Sequence, residues 1–279
     1  MQNNTKIGIL EIKNDIITGK RSYDVLIDFY NEASKHQNID LDIDITARFI
    51  DGNLCALLAA IKYELEIKHN VKLVLKNFQN ENISELFLRN GFFSKNAQYF
   101  EDTRKSVIKL GCFQMHEITE FNNYIEQDLI AHRALNALPD KIKDIILQDI
   151  TELFNNVEAH AQTTAPIFVC GQYFPNRHQL KLTIVDLGVG FLPAIQQKTT
   201  ITDASQAVRW ALTAGHTTKE EKGGNCLSGI KQYFEDNNEG EIHIITSGVY
   251  WKSKTDEIII TENPFIGTTI HLILVVPLL

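Results

Sequence analysis

Leu138 to Ala161 reads LPDKIKDIILQDITELFNNVEAHA, and the fold is decided there. Pro139 follows a loop and suits the first turn of a helix, where a missing N–H costs nothing. Ile142, Ile145, Ile146, Leu153 and Val157 recur at three- and four-residue steps and build one apolar helical face. Asp149, Glu152, Asn156 and His160 recur at the same steps on another face. A carboxylate and a carboxamide one turn apart beside a buried stripe suit metal binding and activation of a nucleophile. Taken alone, the same stripe also describes a solvated helix face, so the flanking sequence has to decide.

Composition narrows the classes. The chain has 279 residues, 44% hydrophobic and 22% charged, which is ordinary for a globular protein of one large or two medium domains. A net charge of -8 and a pI near 5.6 argue against a nucleic-acid footprint. They do not argue against nucleotides, because a few backbone amides bind phosphate without net positive charge. MQNNTKIGILEIKND shows neither the apolar core nor the cleavage site of a secretory peptide, and Leu272 to Leu279 is too short to span a bilayer. Cys55, Cys112, Cys170 and Cys226 are scattered without a CxxC pair and read as reduced thiols. The expected location is cytoplasmic, with no membrane span.

Before the central helix the pattern alternates strand and helix. Ile7–Ile12 alternates apolar and polar residues and predicts a short strand or hairpin. Ser22–Ser34 has helical spacing with Ser22 as its N-cap. IDLDIDITARFID, Ile39–Asp51, predicts a strand buried on one face. Gly52 and Asn53 break it, Leu54–Glu66 predicts a helix, Val71–Leu75 a strand, and Ile83–Asn90 a helix ended by Gly91. The lengths imply a parallel βαβ arrangement.

FIDGNLCALLAAI leading into one helix, and KLVL into ISELFLRNGF, resemble the STAS domains of bacterial signalling proteins over residues 1–115. STAS antagonists carry a phosphorylatable Ser at the turn before that helix. Here the turn is Asp51-Gly52-Asn53, so the resemblance implies an interaction or sensing module without that phosphorylation. A generic α/β domain serving as an oligomer interface is the competing reading. Residues 116–138 read as a helical connector, and His132 within it as a surface histidine.

After the central helix, Ala165–Phe174 and Leu180–Val185 predict two strands joined by a PNRHQ turn. The second strand runs into Asp186-Leu187-Gly188-Val189-Gly190. A DxGxG there aims a carboxylate into a pocket and lets backbone approach a ligand. Ser205–Leu212 predicts a helix, and Ala204–Lys222 as a whole a flap. Gly223-Gly224-Asn225-Cys226-Leu227-Ser228-Gly229 then opens a helix ending near Phe234, a combination suited to anions. Neither the Walker nor the Rossmann pattern fits it. Glu241–Thr246, Glu257–Thr261 and Thr268–Val276 predict three more strands, with Gly267-Thr268-Thr269 at the start of the last. Trp210 and Trp251 read as core or interface anchors.

ExxxN on a helix, DxGxG about 30 residues later, a glycine-rich helix start after a flap, and GTT before a final strand resemble, in that order, the GHKL ATP-binding superfamily over residues 139–279. ELFNNVEAHA and NCLSGIK are similar to its anti-sigma serine kinase group. The resemblance implies a Bergerat two-layer α/β sandwich with a mixed, largely antiparallel sheet. It implies Mg2+ on Asn156, Glu152 as general base and Asp186 as acceptor for the adenine amino group. Gly188 and Gly190 would admit the base, and Thr269 would support it. Gly224, Leu227 and Gly229 would shape the phosphate loop, and Lys219 would reach the terminal phosphate.

Cys226 stands where the family has a glycine. If that position needs φ > 0, a Cys there costs about 1 kcal/mol or more and crowds the phosphates. The expected function is phosphoryl transfer from ATP to a partner protein or to water, with a STAS-like or regulatory protein as partner and room for a homodimer. A non-catalytic ATP-gated interaction switch is the alternative, and a fold kept for protein contact alone is a third.

Overall fold

The structure is a computed structural model that describes residues 9–78, 80–93, 101–197, 199–213, 228–237, 240–261 and 263–276. The chain opens as β1 (Ile9–Ile12), α1 (Lys20–Ala33), β2 (Ile39–Ile45), α2 (Cys55–His69), β3 (Val71–Phe78) and α3 (Glu81–Arg89). The strands form a parallel sheet in the order β1-β2-β3. Alternation in β2 does what the period-two pattern requires: Leu41, Ile43 and Ile45 are buried while Asp40, Asp42 and Asp44 are not. The strand stops at Ile45, short of the alternating run, and Thr46 to Ile50 form a loop bridged to Ile16. β1 is the short strand expected there, paired in parallel with β2. One local expectation changes. Ser22 lies inside α1, whose N-cap is Gly19, and its hydroxyl accepts from Ile17 N at 2.8 Å, so it braces the incoming loop.

The chain continues as β4 (Val107–Phe113), α4 (Ile118–Tyr124), a π-helical turn over Ile125–Ile130, and α5 (Asp140–His160). Then come β5 (Ile167–Phe174), β6 (Gln179–Asp186), α6 (Phe191–Gln196), α7 (Ala204–Ala211) and α8 (Ser228–Asn237). The last elements are β7 (Gly240–Thr246), β8 (Val249–Lys252), β9 (Glu257–Ile260) and β10 (Thr268–Val275). Seven strands form one sheet in the order β4-β5-β6-β10-β7-β8-β9, and every neighbouring pair is antiparallel. Val107–Phe113, within the first 115 residues, belongs to this sheet through its pairing with β5.

Both faces of the large sheet are covered, so the arrangement has more than two layers. On one face Leu182, Ile184, Ile244, Ile270 and Leu272 pack with Ile146, Ile150, Leu153 and Phe154 of α5. On the other, Phe168, Cys170, Val185 and Ile245 join a core that runs on through α2 and α1 to β2. Helix α2 lies between the two sheets, touching β3 on one side and β5 and β6 on the other. That explains a helix buried on nearly every side and rich in Ala56, Ala59 and Ala60, whose small side chains permit close approach.

A buried polar chain fastens this junction. Lys181 of β6 pairs with Asp51 at 2.7 Å, and Asp51 Oδ2 also accepts from Thr18 N and Oγ1 at 2.8 and 2.7 Å. Asn53 Nδ2 donates to Thr183 Oγ1 at 2.7 Å, and Thr183 shares a hydrogen bond with His271 Nδ1 at 2.8 Å. Burial, with the nearby His243 and Lys181 adding to it, holds His271 neutral well below its ordinary pKa. The Asp51-Gly52-Asn53 turn is thus wholly buried against the large sheet.

Candidate functional site

Helix α5 forms the floor of the site, and two segments dock on it about 18 Å apart, at the ~1.5 Å rise per residue of a helix. Near its C-terminal end the turn after β6 arrives: Val189 N donates to Ala161 O at 2.9 Å. A Cβ on Gly188 would stand 2.4 Å from Ala161 Cβ and 2.6 Å from Ala161 O, so this contact needs glycine. Near the middle of α5, Asp149 Oδ2 accepts from Ile230 N at 2.8 Å and the carboxylate also accepts from Gly229 N. Asp149 therefore caps the start of α8. Glu152 and Asn156, both partly buried, lie on α5 between these two docking points. At i and i+4 they are neighbours on one helical face.

Asp186 ends β6 in a closed polar cluster. It is 6% exposed, and it accepts from Gly188 N at 2.8 Å and from the hydroxyl and amide of Thr268. Thr268 Oγ1 lies 3.0 Å from Thr246 Oγ1, and Thr246 in turn accepts from Phe191 N at the start of α6. Burial pushes the Asp186 carboxyl up to about 6, against the lowering effect of its bonds to Gly188 and Thr268. Burial also pushes Asp149 up to about 6, opposed by the Ile230 and Gly229 amides and reinforced by the charge of Glu152.

Gly190 has φ +78, and a Cβ there would lie 2.8 Å from both Thr246 Oγ1 and Ser247 Oγ. Gly267 has φ +77, and a Cβ would lie 1.9 Å from Asp186 O. These glycines let three chain segments converge at the carboxylate.

Of the residues expected at the site, Glu152, Asn156, Asp186, Gly188, Gly190 and Gly229 are gathered along α5 or at its two docking points. Thr269 is not. Its register partners are Val185 and Ile245, whose side chains point toward α2, whereas Thr268 is opposite Asp186 and shares its face. The correction follows from the pleat, because successive side chains in a strand alternate faces. The sequence GTT alone does not say which threonine faces Asp186; the cross-strand register does.

Gly229 serves mainly the contact between α5 and α8, since a Cβ would meet Ile145 Cγ2 at 2.9 Å and Asp149 at 3.2 Å. Lys219, Gly224, Cys226 and Leu227 lie outside the described residues. Asp149, a member of the polar stripe on α5, is 7% exposed and occupied as a cap. Trp251 is a core anchor at 1% exposure, its indole donating to Asp256 Oδ1 at 2.8 Å.

Among the described residues no three His, Cys, Asp or Glu side chains gather as a metal cage. Mg2+ needs less from a protein, taking one or two oxygens and completing its shell with phosphate and water. Asn156 beside Glu152 offers oxygens of that kind. Among the described residues no helix is long and apolar enough to cross a membrane. No protein-family model matches the chain, and no curated protein matches it.

Proposed function

We propose that the chain is a Mg2+-ATP-binding signalling protein of the GHKL type, similar to anti-sigma serine kinases and joined to a STAS-like module. The observation that carries this reading is the common floor. The turn bearing Asp186 and the start of α8 both dock on α5, with Glu152 and Asn156 between them. A nucleotide along that floor would meet Asp186 with its base and the start of α8 with its phosphates. The buried Asp186 carboxylate is an acceptor suited to an exocyclic amine. Mg2+ held by Asn156 and phosphate oxygens would neutralise phosphate charge, while Glu152 would position the acceptor hydroxyl of a partner protein or water.

Incubation with labelled Mg-ATP tests the chemistry. Label transfer to a partner or phosphate release is expected, lost in Glu152→Ala with nucleotide binding retained. Full turnover in that variant would remove Glu152 from the role.

One observation favours a second reading, an ATP-gated switch without catalysis. The Gly229 and Ile230 amides at the start of α8 are already taken by Asp149. Phosphate would have to be held by the residues before them, where Cys226 replaces the family's glycine. A switch binds ATP tightly without turnover, and Cys226→Gly would then raise turnover from a negligible level.

A further inference from the structure

A second pocket lies far from α5, where the β5–β6 turn meets α3 and the residues before β4. Its volume is about 340 Å3, and four arginines line it: Arg89, Arg104, Arg133 and Arg177. The length of β6 puts it ~24 Å from Asp186, at ~3.4 Å per strand residue.

The charges do not cancel. Arg89 is paired with Glu85 at 3.2 Å and Asp102 at 2.8 Å, and Arg104 shares Glu85 at 3.1 Å. Neither Arg133 nor Arg177 forms an ion pair among the described residues. Two carboxylates against four guanidinium groups leave two positive charges, on a chain whose net charge is -8. The unpaired guanidinium groups are held in place. Arg133 donates from Nε to Lys105 O at 2.9 Å and from Nη2 to Arg104 O at 3.1 Å, and lies over the Tyr173 ring at 5.1 Å. Arg177 lies over the Phe174 ring at 5.8 Å. Cations stacked on aromatic faces lose little rotamer freedom on binding an anion and keep N–H groups aimed outward.

We propose that this pocket binds a small phosphomonoester through Arg133 and Arg177. A phosphomonoester carries about −1.5 to −2 charges at neutral pH, which matches the surplus, whereas a carboxylate supplies one. Arginine forks suit its oxygens, and the volume lies near the lower end of the range for small-molecule sites.

The test is calorimetric titration of the full chain with phenyl phosphate, inorganic phosphate and benzoate. Phenyl phosphate lacks adenine, so binding that survives Asp186→Asn separates this pocket from the proposed nucleotide site. One equivalent of phenyl phosphate should bind more tightly than benzoate, and Arg177→Ala should weaken it about tenfold. Arg177 is the informative position because it is exposed and makes no hydrogen bond among the described residues, so its loss leaves the fold intact. Absence of binding, equal affinity for benzoate, or unchanged affinity in Arg177→Ala would overturn the proposal. Tight binding of a phosphotyrosine peptide with phenyl phosphate silent would overturn it in favour of a protein partner.

Discussion

Replacing Asp51 by Asn should destabilise the protein severely, although neither residue of the ion pair it breaks lies near α5. The Asp51 and Lys181 side chains are 0% and 5% exposed, and their 2.7 Å contact joins the two units of the chain. At an effective dielectric near 20 the attraction is about 6 kcal/mol, mostly offset by the cost of removing both charges from water. Asn keeps an oxygen for Thr18, so the main loss is the counter-charge of a buried ammonium. Stranding a charge in this way costs about 3–5 kcal/mol, against a total stability of about 5–15 kcal/mol.

Lys181→Met in the same chain removes the stranded charge. Its thioether would replace the ammonium over the Phe174 ring, now 4.8 Å away. The double variant should therefore regain most of the loss. Urea unfolding followed by tryptophan fluorescence measures all four members of the cycle. A single transition is expected throughout, because α2 belongs to cores on both of its sides. A loss below about 1 kcal/mol in Asp51→Asn, or a double variant as unstable as the sum of the singles, would refute the counter-charge reasoning.

Asp186 predicts a pH dependence of stability. With a folded pKa of about 6 and an unfolded one near 3.8, the folded state binds the extra proton between these values. The group therefore favours folding more as pH falls from 7 to 4, by about 3 kcal/mol, and that gain disappears as pH rises through 6. Asp186→Asn should lack this slope, so the stability of wild type relative to the variant should rise by that amount on acidification. Gly267→Ala puts a methyl 1.9 Å from Asp186 O at φ +77, and should cost roughly 3 kcal/mol or more in urea unfolding.

Much of the architecture was legible because periodicity reports burial directly. The alternation of Ile39–Ile45 and the three- and four-residue spacing along Leu138–Ala161 each have one structural solution. Short or irregular elements carried weaker signals. Val249–Lys252 is four residues long, Phe191–Gln196 is a single short helix containing Pro193, and Val107–Phe113 carries a register shift between Ile108 and Gly111.

The site was legible in type and less so in geometry. Acidic, amide and glycine positions mark where a ligand would be approached. Which of Thr268 and Thr269 faces Asp186 depends on pairing with β6 and β7, a non-local property. The capping role of Asp149 was hidden for a related reason. An acidic residue on a helical stripe looks solvated until a second helix brings its amides to it, and α8 lies 80 residues further along the chain. The Asp51-Gly52-Asn53 turn likewise gave no sign of its partner Lys181 in β6.

Calorimetry with a non-hydrolysable ATP analogue and Mg2+ tests the proposed site most directly. Sub-millimolar binding to wild type, lost in Asp186→Asn, is the predicted result. Absence of binding to wild type, or equal binding to both proteins, would contradict the nucleotide reading of the α5 floor.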